Sequence, residues 1–82
     1  METRVAVMGI IVEDTNAVNL LNEILHEYSE FIIGRMGIPY KQKHISVISI
    51  ALENTIAALA GKLGNIKGIS VKTAYSNVIS HD

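Results

Sequence analysis

The chain has no cysteine. That removes disulfide frameworks, thiolate metal sites and cysteine nucleophiles together. Long apolar runs are also missing: none approaches the roughly 18 residues that a membrane helix needs. The opening "METRVAV" has one arginine and leads into "VEDTN" without a small-residue cleavage pattern, so no secretory leader is expected. A cytoplasmic protein is the resulting expectation. Aromatic residues make up only 5% of the chain, and the central segments lack the paired aromatics on which an RNA-reading sheet stacks bases. No P-loop or GxGxxG is present, and no Ser-His-acid set stands out. The three histidines, His26, His44 and His81, have no mutual spacing that builds a metal site alone.

What the chain does have is hydrophobicity. It is 49% hydrophobic over 82 residues, with a mean hydropathy of +0.31. A single small domain, residues 1–82, has too little interior to hide that much apolar surface. The excess must face something, and a second copy of the chain is the simplest candidate. Net charge is −1, so no global field favours nucleic acid. Its distribution is uneven: Glu2, Glu13, Asp14, Glu23, Glu27 and Glu30 crowd the first part, whereas Arg35, Lys41, Lys43, Lys62, Lys67 and Lys72 follow. Such a split can orient subunits or attract an anion; ordinary solvation of two faces accounts for it equally.

Residues 7–17, "VMGIIVEDTNA", align with residues 47–57, "VISIALENTIA", at an offset of 40. Val7 meets Val47, Ile10 meets Ile50, Glu13 meets Glu53, Thr15 meets Thr55 and Ala17 meets Ala57. Asp14 meets Asn54, and both are expected to cap helices. The register implies two copies of one strand-to-helix unit. In the first, "RVAVMGIIV" reads as a strand, and Ala17, Leu20, Leu21, Ile24, Leu25 and Tyr28 fall on one helix face. In the second, "ISVISIAL" is the strand and the helix buries Ile56, Leu59, Ala60 and Leu63, with Gly64 placed for a left-handed end. Another strand follows each helix. The expected fold is α+β and ferredoxin-like, β-α-β-β-α-β, with two helices on one face of a four-stranded antiparallel sheet. Strands are expected near 4–12, 31–38, 45–52 and 69–78, and helices near 15–29 and 54–63. The first strand is apolar on both sides, Val5, Val7 and Ile11 against Ala6, Met8, Ile10 and Val12. Two helices cover only one of those sides, so at least a dimer is expected, joined by sheet face or sheet edge.

The stretch "IIGRMGIPYKQKH" is the candidate site. Period two places Ile32, Gly34, Met36, Ile38 and Tyr40 on one face, and Ile33, Arg35 and Gly37 on the other. Glycine inside a strand marks a bulge or the close approach of a backbone or ligand. Arg35, flanked by positions without side chains, offers a planar five-donor fork suited to carboxylate or phosphate. Gly34, Arg35, Met36, Gly37, Tyr40 and His44 are therefore candidates for ligand or subunit contact. A blunted edge strand explains the same residues, since Pro39 cannot donate to a ladder and an edge charge blocks unwanted pairing. No catalytic residue, metal ligand or cofactor is assigned.

The segments "NEILHEYSEFIIGRMGIPYKQKHISVISIAL" and "LAGKLGNIKGISVKTAYS", and most specifically "IIGRMGIPY" and "GKLGNIKGISVK", resemble a family of small bacterial proteins described as iron-only hydrogenase system regulators. The resemblance spans nearly the whole chain and implies a link to the [FeFe]-hydrogenase system. The fold it implies is similar to ACT-type regulatory domains and to the ligand domain of the nickel-responsive repressor NikR, which pair through sheets and bind small effectors or metal between subunits. This chain departs from the repressor: Gly37, Ile38 and Pro39 stand where its second-strand histidines would be, there is no cysteine, and the first strand begins where a ribbon-helix-helix segment would precede it. Any effect on transcription would then run through a partner, and direct DNA binding is not expected. The leading expectation is a non-enzymatic, oligomeric regulatory module that senses a small molecule or docks to a partner protein. A small enzyme on the same scaffold and a nucleic-acid-binding accessory protein using Lys41, Lys43 and Lys72 are the alternatives.

Overall fold

The computed structural model describes residues 2–40 and 45–81. Its elements follow the expected order: β1 (Glu2–Val12), α1 (Val18–Glu27), β2 (Ile32–Tyr40), β3 (Ile45–Glu53), α2 (Ile56–Gly64) and β4 (Ile69–His81). A 3-10 turn, Thr15–Ala17, leads into α1, and another, Ser29–Phe31, leads out of it. The strands form one antiparallel sheet in the order β2-β3-β1-β4. This is the ferredoxin-like α+β fold.

Alternation places the core. Ala6, Met8, Ile10 and Val12 of β1 and Ile48, Ile50 and Leu52 of β3 are buried under the helices. They meet Leu21 and Leu25 of α1 and Ile56, Leu59 and Leu63 of α2. Leu20, expected on the apolar face of α1, is instead exposed. Lys62 of α2 reaches α1, donating to the Glu27 carboxylate at 2.7 Å and lying over the Tyr28 ring.

The repeat is visible as geometry. In the β1–β3 ladder Gly9 pairs with Ser49, Met8 with Ile50 and Ile10 with Ile48. Residues 40 apart are thus exchanged by a local two-fold through the Gly9–Ser49 pair.

Three local expectations are corrected. Ile32 pairs with Leu52 and packs on the core, whereas Gly34 pairs with Ala51, so the register shifts by one residue at Ile33. That bulge moves Ile32 to the helix side, away from Gly34, Met36 and Ile38. Asp14 does cap, accepting from the Asn16 N–H at 2.9 Å. Asn54 does not sit at the cap of α2: that position is Thr55, which makes no side-chain capping bond, and both residues have positive φ (59° and 46°). The left-handed glycine is not Gly64 but Gly68, with φ +88°. Its carbonyl accepts from the Glu13 and Asp14 N–H groups at 2.8 and 3.3 Å, tying the start of β4 to the end of β1.

Candidate functional site

The sheet has a bare face. Odd-numbered residues of β1 and β3 and, beyond the bulge, Gly34, Met36 and Ile38 of β2 point away from the helices, and the ladders set them in rows: Ala74–Val7–Ala51–Gly34, Lys72–Gly9–Ser49–Met36, and Ser70–Ile11–Val47–Ile38. Val7, Met36 and Ile38 are 49%, 60% and 55% exposed. These are large apolar side chains in contiguous rows, flanked at the β4 edge by Lys72 and by Ser70, whose hydroxyl donates to Glu13 at 2.8 Å. The two-sided apolar pattern read in β1 is therefore real, and one of its sides has no cover among the described residues.

Of the four successive candidates Gly34 to Gly37 in β2, two belong to this face and two do not. Gly34 and Met36 are on the bare side, while Arg35 pairs with Ile50 and Gly37 with Ile48 on the helix side. Tyr40 pairs with Ile45 at the end of the ladder. His44 lies outside the described residues, as do Lys41 and Lys43. Neither Gly34 nor Gly37 has positive φ. A Cβ at Gly34 would meet nothing within 4 Å, and one at Gly37 would make only ordinary contact with Ile48 at 4.0 Å. Both therefore leave open space, which their own backbone conformation does not require.

On the helix side that space is a groove between α1 and β2. The Arg35 guanidinium donates to Asn22 Oδ1 at 3.0 Å across it. The bond divides the groove into two cavities. One, of about 330 Å³, is lined by Asn22, Leu25, His26, Ser29, Ile32 and Arg35. The other, of about 300 Å³, is lined by Val12, Val18, Leu21, Asn22, Arg35, Gly37, Ser46 and Ile48. Each joins an apolar floor to a few polar groups, the usual make-up of a small-molecule pocket. Among the described residues no carboxylate pairs with Arg35. Sequence reasoning singled out Arg35 and Gly37 but missed their partners. Asn22 and His26 on α1 and Ser29 in the turn after it, at i, i+4 and i+7, form a polar stripe, and that spacing was the signal available.

Among the described residues there is no group of three or more His, Cys, Asp or Glu side chains that could hold a metal, and no helix is long and apolar enough to cross a membrane.

Comparison with known proteins agrees with the fold. The uncharacterized protein TM1266 of Thermotoga maritima is 38% identical, with a TM-score of 0.84 over 89% of this chain and 96% of that one. A formyltetrahydrofolate deformylase of Pseudomonas putida KT2440 matches with a TM-score of 0.60 over 92% of this chain but 29% of its own, at 12% identity, a likeness of fold alone. No curated protein matches in sequence. The model of the TM1266-like family, "Iron-only hydrogenase system regulator, putative", matches residues 4–73, and the chain belongs to that family.

Proposed function

We propose that this protein is a non-enzymatic cytoplasmic regulatory module that works as a homo-oligomer, at least a dimer, joined through the bare face of its sheet. The family's description supports the regulatory role and ties it to the iron-only hydrogenase system. The observation that carries the oligomer is the contiguous apolar surface of Val7, Ile11, Met36 and Ile38 on a face without helices. A monomeric soluble protein rarely leaves such rows open. Four strands spaced about 4.8 Å apart and roughly nine residues long offer on the order of 600 Å². Two copies stacked face to face would bury on the order of 1,200 Å², the lower bound for a specific interface. The occupant we assign is a second copy, because the face is largely apolar and so complements itself. Small residues on each strand, Ala74, Gly9, Ser49 and Gly34, let two sheets approach closely. Regulation then consists of a ligand or partner protein acting on the assembled module.

Sedimentation equilibrium tests this. The wild type is expected to sediment as a dimer or larger, and Val7→Lys with Ile38→Lys as a folded monomer with unchanged far-UV circular dichroism. A wild type that stays monomeric at high micromolar concentration ends the proposal.

A further inference from the structure

We infer that the groove between α1 and β2 is a binding site for a small carboxylate with an apolar body, Arg35 taking the carboxylate and the cavity floors taking the body. The inference rests on the regulatory reading above and names the class of effector.

The local two-fold supplies an internal control. Ile10 and Ile50 are equivalent in the repeat; Arg35 pairs with Ile50, and Val71 pairs with Ile10. Likewise Gly37 pairs with Ile48, and Thr73 pairs with Met8. The second half thus places a valine and a threonine where the first half places an arginine and a glycine. Val71 packs against the core, and α2 packs on β4. In the first half the same site is a groove with a guanidinium across it. One fold, built twice from related sequence, is closed on one side and open on the other. Since no backbone constraint asks for glycine at 37, the opening is a property of the side chains.

The chemistry of the opening selects the ligand. The guanidinium has five donors in a plane, and its partner on the page is a neutral amide, Asn22, at 3.0 Å. It keeps donors and its full charge for a planar anion, and the fork matches a carboxylate in bidentate fashion. A phosphate dianion would call for more than one cation, whereas among the described residues Arg35 is the only lysine or arginine in the lining of either cavity. None of the α1 carboxylates lines the cavities, and Glu27 is engaged by Lys62. Asn22 and His26 can orient the anion from the helix side, and Ser46 lies at the far end. The floors on both sides of Arg35 are aliphatic, which fits a short branched chain.

The test is nitrogen-15 correlation NMR of the full-length protein titrated with isovalerate, with inorganic phosphate as the comparison probe. Isovalerate is expected to shift the amides of Asn22, His26, Arg35 and Gly37 saturably. Arg35→Ala is expected to weaken it roughly tenfold or more, the loss of a hydrogen bond to a charged group. Arg35→Lys should bind between the two, and Gly37→Leu, which fills one cavity, should block binding while leaving Arg35 in place. Both sites of substitution face away from the proposed seam, so the oligomer mass should not change. Absence of saturable shifts, equal binding by Arg35→Ala, or stronger binding of phosphate than of isovalerate would each overturn the inference. Loss of binding with an intact dimer leaves the sheet-face reading standing. A drop in mass on Arg35→Ala makes Arg35 a subunit contact and overturns the groove as a ligand site. The Val7→Lys, Ile38→Lys monomer should still bind, because the groove lies within one subunit.

Discussion

Gly68 is the position where one added methyl group should cost most. Its φ is +88°, and an ideal Cβ there would lie 2.5 Å from Asp14 Cβ, 3.4 Å from Asp14 N and 3.5 Å from Asp14 Cα. An alanine meets two penalties. Holding a non-glycine residue in this backbone region costs about 1–3 kcal/mol. The overlap with Asp14 is with a Cβ next to the backbone, so the strand end must shift. The Gly68 carbonyl accepts from Glu13 and Asp14 N–H at this same place, and weakening one of those bonds costs about 1 kcal/mol more. Gly68→Ala is therefore expected to destabilise by about 2–4 kcal/mol, which for a domain of this size lowers Tm by roughly 10–25 °C. Urea unfolding followed by far-UV circular dichroism, at one fixed protein concentration because association stabilises, measures the loss. Asp14→Gly removes the clash but leaves φ unchanged. In that background Gly68→Ala should recover part of the cost, and the coupling separates the two penalties. A loss under about 0.5 kcal/mol for the single variant, the range of an uneventful surface substitution, would refute the reasoning.

Two further outcomes follow from the helices. Gly61 lies inside α2 with nothing within 4 Å of an added Cβ, so Gly61→Ala should stabilise by about 0.5–1 kcal/mol in the same urea assay. The hydrogen bond from Lys62 to Glu27 raises the Lys62 pKa above its ordinary 10.5, against an opposing desolvation and with help from the charge of that carboxylate. A raised lysine contributes stability that is fully present below the unfolded value and is lost as pH rises through the folded one. The stability difference between wild type and Lys62→Met should hold steady from neutral pH to about 10 and shrink above it, and a difference that instead grows with alkali would contradict the pairing.

The fold was legible because two kinds of regularity survive in the residues. Alternation in β1 and β3 separates Met8, Ile10, Ile48 and Ile50 from Val7, Ile11 and Val47, and the offset of 40 marks both strand-to-helix units. The failures have one source. Local preference was read where a distant neighbour decides. Asp14–Thr15 and Asn54–Thr55 match in sequence, yet the first pair caps a 3-10 turn and the second has positive φ. Their surroundings differ: Gly68 packs on Asp14, while the Asn54 N–H donates to the Arg4 carbonyl. The bulge at Ile33 inserts one residue into a pattern of period two, and a face assignment carried through it inverts. At the candidate site, Arg35 stood out between two glycines. Its partner Asn22 comes from α1, thirteen residues earlier, and no strand-based spacing relates the two.

The contrast between the halves makes a last prediction about what the groove costs the fold. The second half shows how this architecture closes the position: an aliphatic residue at 71 and a β-branched one at 73. Rewriting the first half to match, Arg35→Val with Gly37→Thr, should turn an open groove into packed sheet. Valine in place of an exposed arginine brings aliphatic surface against the core at about 25 cal/mol per Å². Threonine in place of glycine removes a weak strand former and its excess unfolded-state freedom, worth up to about 1 kcal/mol. Together the changes should raise stability by about 1–2 kcal/mol, the scale on which natural proteins give up stability for function. The same variant should lose isovalerate binding while its oligomer mass stays that of the wild type. Urea midpoints at a fixed protein concentration and the NMR titration read both quantities from one preparation. If the double variant is instead destabilised by more than about 1 kcal/mol, Arg35 and Gly37 support the strand itself. The groove would then be a by-product of a blunted edge rather than a place kept open for a ligand.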